Sequence, residues 1–164
     1  MSSQLGTEWL LWLENSVLAE AIRQWVWAYP LIEALHILGI TLLVGSVAML
    51  DLRLLGISRH VRVTDMAGHI LPWSYASFGA VIFSGVLLFA TDALVIAQNP
   101  AFRLKLVLIL GAGMNAIAFH WKFYPSVQRW NRGVKAPLMV RAIAITSLIL
   151  WIAVITCGSL IAYV

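Results

Sequence analysis

Glu33 and His36, Asp51 and Arg53, His69, Asp92, Lys105 and His120 are ionisable residues set within or at the margins of long apolar runs. At the centre of a spanning helix such a side chain costs roughly 2.5–3.5 kcal/mol, so each is a candidate for function. Neutral imidazole is the commonest axial ligand for iron porphyrin between helices, and haem propionates take Arg or Lys partners. The first chemistry to weigh is therefore haem ligation by His36, His69 and His120. Lys105 stands level with His36, and Arg53, Lys122 and Arg141 stand level with His69 and His120. Glu33 and His36 are three residues apart and share a helix face. They could form a proton relay, a carboxylate-oriented imidazole, or a pair that merely hydrates itself near the surface. His60, between Arg59 and Arg62, reads as a solvated loop residue.

The elements that must position these groups follow from composition. The chain has 164 residues, 62% apolar and 11% charged, with a mean hydropathy of +0.90. Residues 66–91 and 142–164 carry no Asp, Glu, Lys or Arg, which leaves uncharged runs of 26 and 23 residues. Each exceeds the roughly 20 residues that cross a bilayer. A soluble domain, a disordered chain, a coiled coil, a disulfide scaffold and a free nucleic-acid binder are excluded. No basic start, apolar stretch and small-residue cleavage site marks a secretory signal at Met1 to Thr7. The single cysteine, Cys157, lies in the last apolar run and reads as a packing residue.

The expected fold class is all-α: an integral membrane four-helix bundle preceded by an N-terminal interfacial amphipathic helix. Residues 1–29 place Trp9, Trp12, Val17, Ala21, Trp25 and Val26 at helical spacing. Glu8, Glu14, Glu20 and Arg23 are too frequent among them for a spanning segment. Residues 30–164 form the bundle, with spans at about 31–52, 69–91, 102–121 and 138–163. Ala76, Ala80 and Ser84 in the second span, Ala112 and Ala116 in the third, and Gly158 and Ala162 in the fourth suggest close helix packing.

Four spans put both termini on one side. The loops after the first and third spans hold eight basic residues, Arg53, Arg59, Arg62, Lys122, Arg129, Arg132, Lys135 and Arg141, against Arg23, Arg103 and Lys105 opposite. The positive-inside rule makes the eight-residue side cytoplasmic and puts both termini in the periplasm of a bacterial inner-membrane protein. On this layout His36 and His120 differ in depth by about 18 Å at 1.5 Å per residue, too far apart to share one iron. His69 and His120 lie near one face, on helices expected to be antiparallel neighbours, and could bracket a macrocycle.

The stretch Tyr29-Pro30-Leu31-Ile32-Glu33-Ala34-Leu35-His36-Ile37-Leu38-Gly39, closing on Asp51-Leu52-Arg53, resembles the first helix of small four-span bacterial proteins related to CopD and the HemJ-type protoporphyrinogen oxidase. Phe102-Arg103-Leu104-Lys105-Leu106, running on to Asn115 and His120, is similar to their helix with an early Lys-Leu and a late polar cluster. The resemblance covers residues 31–122. It implies that His36 helps hold haem b and that Lys105 is functionally required. The Lys-to-His interval is longer here, the loops differ, and the N-terminal segment is no part of that pattern. Haem binding, and not the oxidase activity, is therefore what the resemblance implies. Met49, Met66, Met114 and Met139 are scattered, without the Met-x-x-Met cluster that a copper-uptake reading would favour.

The leading expectation is a membrane protein that binds one or two haem b groups, cytochrome b-like. It would carry electrons between a membrane donor such as quinol and a redox partner, as a homo-oligomer or a subunit of a larger complex. His36 is the ligand suggested by resemblance, and His69 with His120 the pair suggested by depth. A metal or small-solute transporter would use Glu33, His36 and Asp92 as an outer uptake site. A cofactor-free structural subunit would need only the small-residue ladders.

Overall fold

The computed structural model describes residues 2–163, with side chains from residue 7 onward. Met1 and Val164, the outermost residues of the two expected segments, lie outside the described range. Among the described residues seven α-helices follow in order: α1 (Ser2–Glu14), α2 (Val17–Gln24), α3 (Ala28–Leu55), α4 (Val63–Thr91), α5 (Ala93–Gln98), α6 (Pro100–Ala118) and α7 (Leu138–Leu160). The third span continues past α6 through a π turn, Phe119–Phe123, and a 3-10 turn, Tyr124–Arg129. Four helical stretches are long and apolar enough to cross a membrane. The protein is a multi-pass helical membrane bundle.

The N-terminal segment is two helices, not the single one expected. Ser16 breaks it, its hydroxyl accepting from the Ala19 N–H at 3.2 Å as the cap of α2. Both helices fold onto the end of the bundle that carries the termini. Arg23 donates to the last carbonyl of α4, Thr91 O, at 3.0 Å and to Glu14 O, which ends α1, at 2.9 Å. The Glu14 carboxylate in turn accepts from Leu94 N in the first turn of α5 at 3.0 Å. A cation on two C-terminal carbonyls and an anion on an N-terminal N–H both complement helix dipoles. Trp9, Trp12, Trp25 and Trp27 stay exposed, as suits indoles at headgroup depth.

At the opposite end, the loop end, α4 starts six residues earlier than the expected 69. The reason is a cap from distant sequence. Asn131 Oδ1 accepts Thr64 N at 3.1 Å, and the Asn131 carbonyl accepts Val63 N at 3.1 Å. Gly56 ends α3 at φ +112°, its N–H and that of Ile57 both returning to the Leu52 carbonyl. Beneath these loops lies the main core, built from Leu50, Leu54, Val63, Phe119, Trp130 and Val140 with smaller neighbours.

Around the bundle α4 packs most extensively on α3, α3 on α7, and α7 on α6. Among the described residues α4 and α6 make no comparable contact, so they are not the packed neighbours that their connection implied. Across the short α5 they meet through the stacked rings of Phe89 and Phe102, 5.3 Å between centroids, and do not pack along their lengths. The buried stripe of α4 is Ala67, Ser74, Ser77, Ser84 and Thr91. Of the expected ladder only Ser84 belongs to it; Ala76 is exposed and Ala80 half-buried. Each of these serines donates to a carbonyl four residues back, which lets hydroxyls lie in a helix interface without a partner across it.

Gly39 marks a close approach of α3 to α4, since a Cβ there would lie 2.8 Å from Val81 Cγ2 and 3.5 Å from the Ser77 carbonyl. Gly39→Leu is expected to destabilise the bundle by about 2 kcal/mol through overpacking. The buried thiol of Cys157, the sole cysteine, reports it. It should react with a maleimide dye at a clearly lower temperature in the variant. An unchanged reaction temperature would show that the two helices can move apart freely.

Candidate functional site

The polar groups at membrane depth gather at two levels. The first is built on α3, α4 and α6, towards the end that carries the termini. His36 projects from α3 and its Nδ1 lies 2.9 Å from Ser84 Oγ on α4. Ser84 is fully buried, and its one hydroxyl proton goes to the Ala80 carbonyl at 2.6 Å. The hydroxyl therefore accepts from His36, which puts the imidazole proton on Nδ1 and leaves a lone pair on Nε2. Half-buried between α3 and α4, the imidazole has one nitrogen tied to a fixed partner, as metal-ligating histidines usually do. Gly85 makes room for it, because a Cβ there would lie 3.0 Å from His36 Cε1.

Lys105, half-buried on α6, lies within electrostatic reach of His36 and of Cys157. Its Nζ is 3.8 Å from where a Cβ on Gly158 of α7 would sit. The structure thus brings together the two residues, His36 and Lys105, that resemblance singled out. Ser84 and Gly85 complete the arrangement and were not picked out for it by the sequence. Their only signal was a Ser-Gly pair in an apolar run, which reads as packing.

Glu33 does not share in this. It is exposed, and the hydroxyl of Ser84 holds the imidazole where a carboxylate was one option. Glu33 and Asp92 both lie within electrostatic reach of Tyr29. Among the described residues no three His, Cys, Asp or Glu side chains gather closely enough to hold a metal ion, so Glu33, His36 and Asp92 do not form one cation site.

The second level is a cavity of about 400 Å³ towards the loop end, walled by α3, α4, α6 and α7. His120 lines it, at the start of the π turn. Such turns, where the helix widens by one residue, recur at functional sites. His120 Nδ1 donates to the Ala116 carbonyl at 2.9 Å, which again leaves the lone pair on Nε2. That Nε2 is buried and has no hydrogen-bond partner. Asp51 faces the same cavity, 6% exposed, with Oδ2 equally unpartnered. Ser147 on α7 lies within hydrogen-bonding reach of this carboxyl.

Two expected members of a loop-end haem site are placed elsewhere. His69 is exposed, bonded through Nδ1 to the Asp65 carbonyl at 2.8 Å, and does not line the cavity that His120 enters. The pairing of His69 with His120 required α4 and α6 to pack face to face, and they do not. Arg53, the expected propionate partner, is 2% exposed and committed to backbone carbonyls. It donates to Val61 O at 2.7 Å, Asn131 O at 2.9 Å and Arg59 O at 3.3 Å. It ties the two loops to each other and has no face turned to a ligand. His60 is exposed in its loop, as expected.

No curated protein and no solved structure matches the chain. A family model does match, over residues 9–164 and so through α3, α4, α6 and α7, which hold the two polar levels. The chain belongs to DUF6644, a family of unknown function.

Proposed function

We propose that this protein carries haem b at His36 and transfers electrons between a membrane donor of the quinol class and a redox partner. The observation that carries the reading is the Ser84 hydrogen bond, which holds His36 by Nδ1 and leaves Nε2 as the ligating nitrogen. Lys105 supplies the cation that a propionate takes as partner. Gly85 leaves room for the imidazole itself against α4. When bound, the haem supplies one-electron chemistry at its iron. The chain's own residues hold the imidazole in one tautomer, balance charge at Lys105 and wall the site with apolar side chains.

In this proposal one haem stands at the end carrying the termini. That end faces the periplasm and the loop end faces the cytoplasm of a bacterial inner membrane, on the basic residues of the loops. Kinship with the CopD-related and HemJ-type proteins belongs to the same proposal and rests on the residues around His36 and Lys105.

The test is an optical spectrum of protein purified in mild detergent from iron-replete cells. The expected result is a Soret band that shifts on dithionite reduction. Colourless protein that is monodisperse, with its Cys157 thiol still protected, would overturn the reading.

A further inference from the structure

The cavity at the loop end is not used by the His36 site. Its two unpartnered polar atoms, Asp51 Oδ2 on α3 and His120 Nε2 on the π turn after α6, are both buried. A buried polar group without a partner loses its full hydration, on the order of 1–3 kcal/mol, so two facing one space point to a ligand that satisfies both. His120 Nε2 is an acceptor because Nδ1 holds the proton. A carboxylate oxygen at Asp51 is an acceptor as well. With Asp51 ionised, a ligand that satisfies both atoms supplies two hydrogen-bond donors.

Position narrows the class further. Asp51 and His120 sit on α3 and on the π turn that continues α6, which make no substantial contact and have the cavity between them. A single hydroxyl or ammonium group delivers its donors from one point, whereas a rigid ring with a hydroxyl at each end delivers one to each wall. The rest of the lining is apolar and aromatic, with Trp151 inside and no Lys or Arg to hold an acid. The rim residues Tyr75 and Phe78 of α4, and Ile117 and Trp121 of the third span, are exposed on the side where α4 and α6 stand apart. In a bilayer that gap opens to hydrocarbon, so the ligand arrives from the lipid with an apolar tail. A volume of about 400 Å³ suits a substituted ring and the start of such a tail.

We infer that this cavity binds a lipid-borne para-hydroquinone, its two hydroxyls donating to His120 Nε2 and to the Asp51 carboxyl. The site stands apart from His36, and its occupancy does not depend on haem.

Calorimetric titration of the protein in nanodiscs under argon tests it, with empty nanodiscs as the blank. The probes are 2-decylhydroquinone, its dimethyl ether, which keeps shape and tail but has no O–H, and decylammonium. The hydroquinone is expected to bind the wild-type protein at least about tenfold more tightly than the ether, the effect of losing two donors to buried acceptors. Asp51→Asn and His120→Phe should each weaken hydroquinone binding about tenfold and leave the ether unaffected, with protected Cys157 as the check on folding. Equal affinity for hydroquinone and ether, or preference for decylammonium, would overturn the assignment. The wild-type comparison needs no variant to fold and no pigment to be present, so its failure is distinct from that of the haem reading.

Discussion

His36→Ala is expected to lower Soret absorbance per mole of protein more than tenfold, because the imidazole proposed as the iron ligand is lost. Ser84→Ala should be milder and more informative. It keeps the imidazole but frees Nδ1 from the hydroxyl that sets its tautomer. Loss of such an orienting partner typically costs 10–100-fold in metal affinity. Titration of haem into the apoprotein of each variant measures this. His69→Ala should leave absorbance unchanged, since His69 is exposed and bonded within its own helix. If His36→Ala kept its full colour while His120→Ala lost it, the pigment would sit in the loop-end cavity and the assignment to His36 would fall.

Arg53→Met should produce the largest loss of stability, about 3–5 kcal/mol, as expected for stripping charge-assisted bonds from a buried network. Methionine preserves much of the apolar stem, so the effect isolates the guanidinium. The three carbonyls are not equal. Arg59 O still accepts Gly133 N at 2.9 Å and Asn131 O still accepts Val63 N at 3.1 Å, whereas Val61 O loses its 2.7 Å donor. Both loops and the cap of α4 depend on this one side chain, so the loop end is where opening begins. Cys157 exposure on heating should then occur at a much lower temperature, with Arg53→Lys in between because an ammonium cannot reproduce the fork. Arg53→Met that melts with the wild type would mean that the loops hold themselves.

Both predictions turn on residues whose roles were only partly legible beforehand. His36 was visible because an imidazole in an apolar run is rare and costly, and Lys105 for the same reason. Arg53 was equally conspicuous and was assigned to the wrong partner. A sequence shows that a cation lies at a membrane boundary, but the carbonyls of residues 59, 61 and 131 reach it only after two loops close over it. Asn131 illustrates the same limit, since it caps a helix 67 positions earlier in the chain. Ser84 looked like a small packing residue and is one, and its hydroxyl also sets the tautomer of His36. Asp51 stood out as a charge closing a span. Its unpartnered oxygen became visible only with the cavity.

The amino-acid order alone determined that this chain lives in a bilayer, how many times it crosses, and which end collects basic residues. Those properties follow from transfer free energies summed along single segments, and neighbouring helices hardly change them. Which helices touch was decided in three dimensions, where close approach at Gly39 drew α4 onto α3 and left α6 to α7. That choice parted His69 from His120, brought Ser84 to His36, and opened a space between α4 and α6. Pairings of this kind depend on shape fit between surfaces that are about equally apolar, and hydropathy does not distinguish one such surface from another.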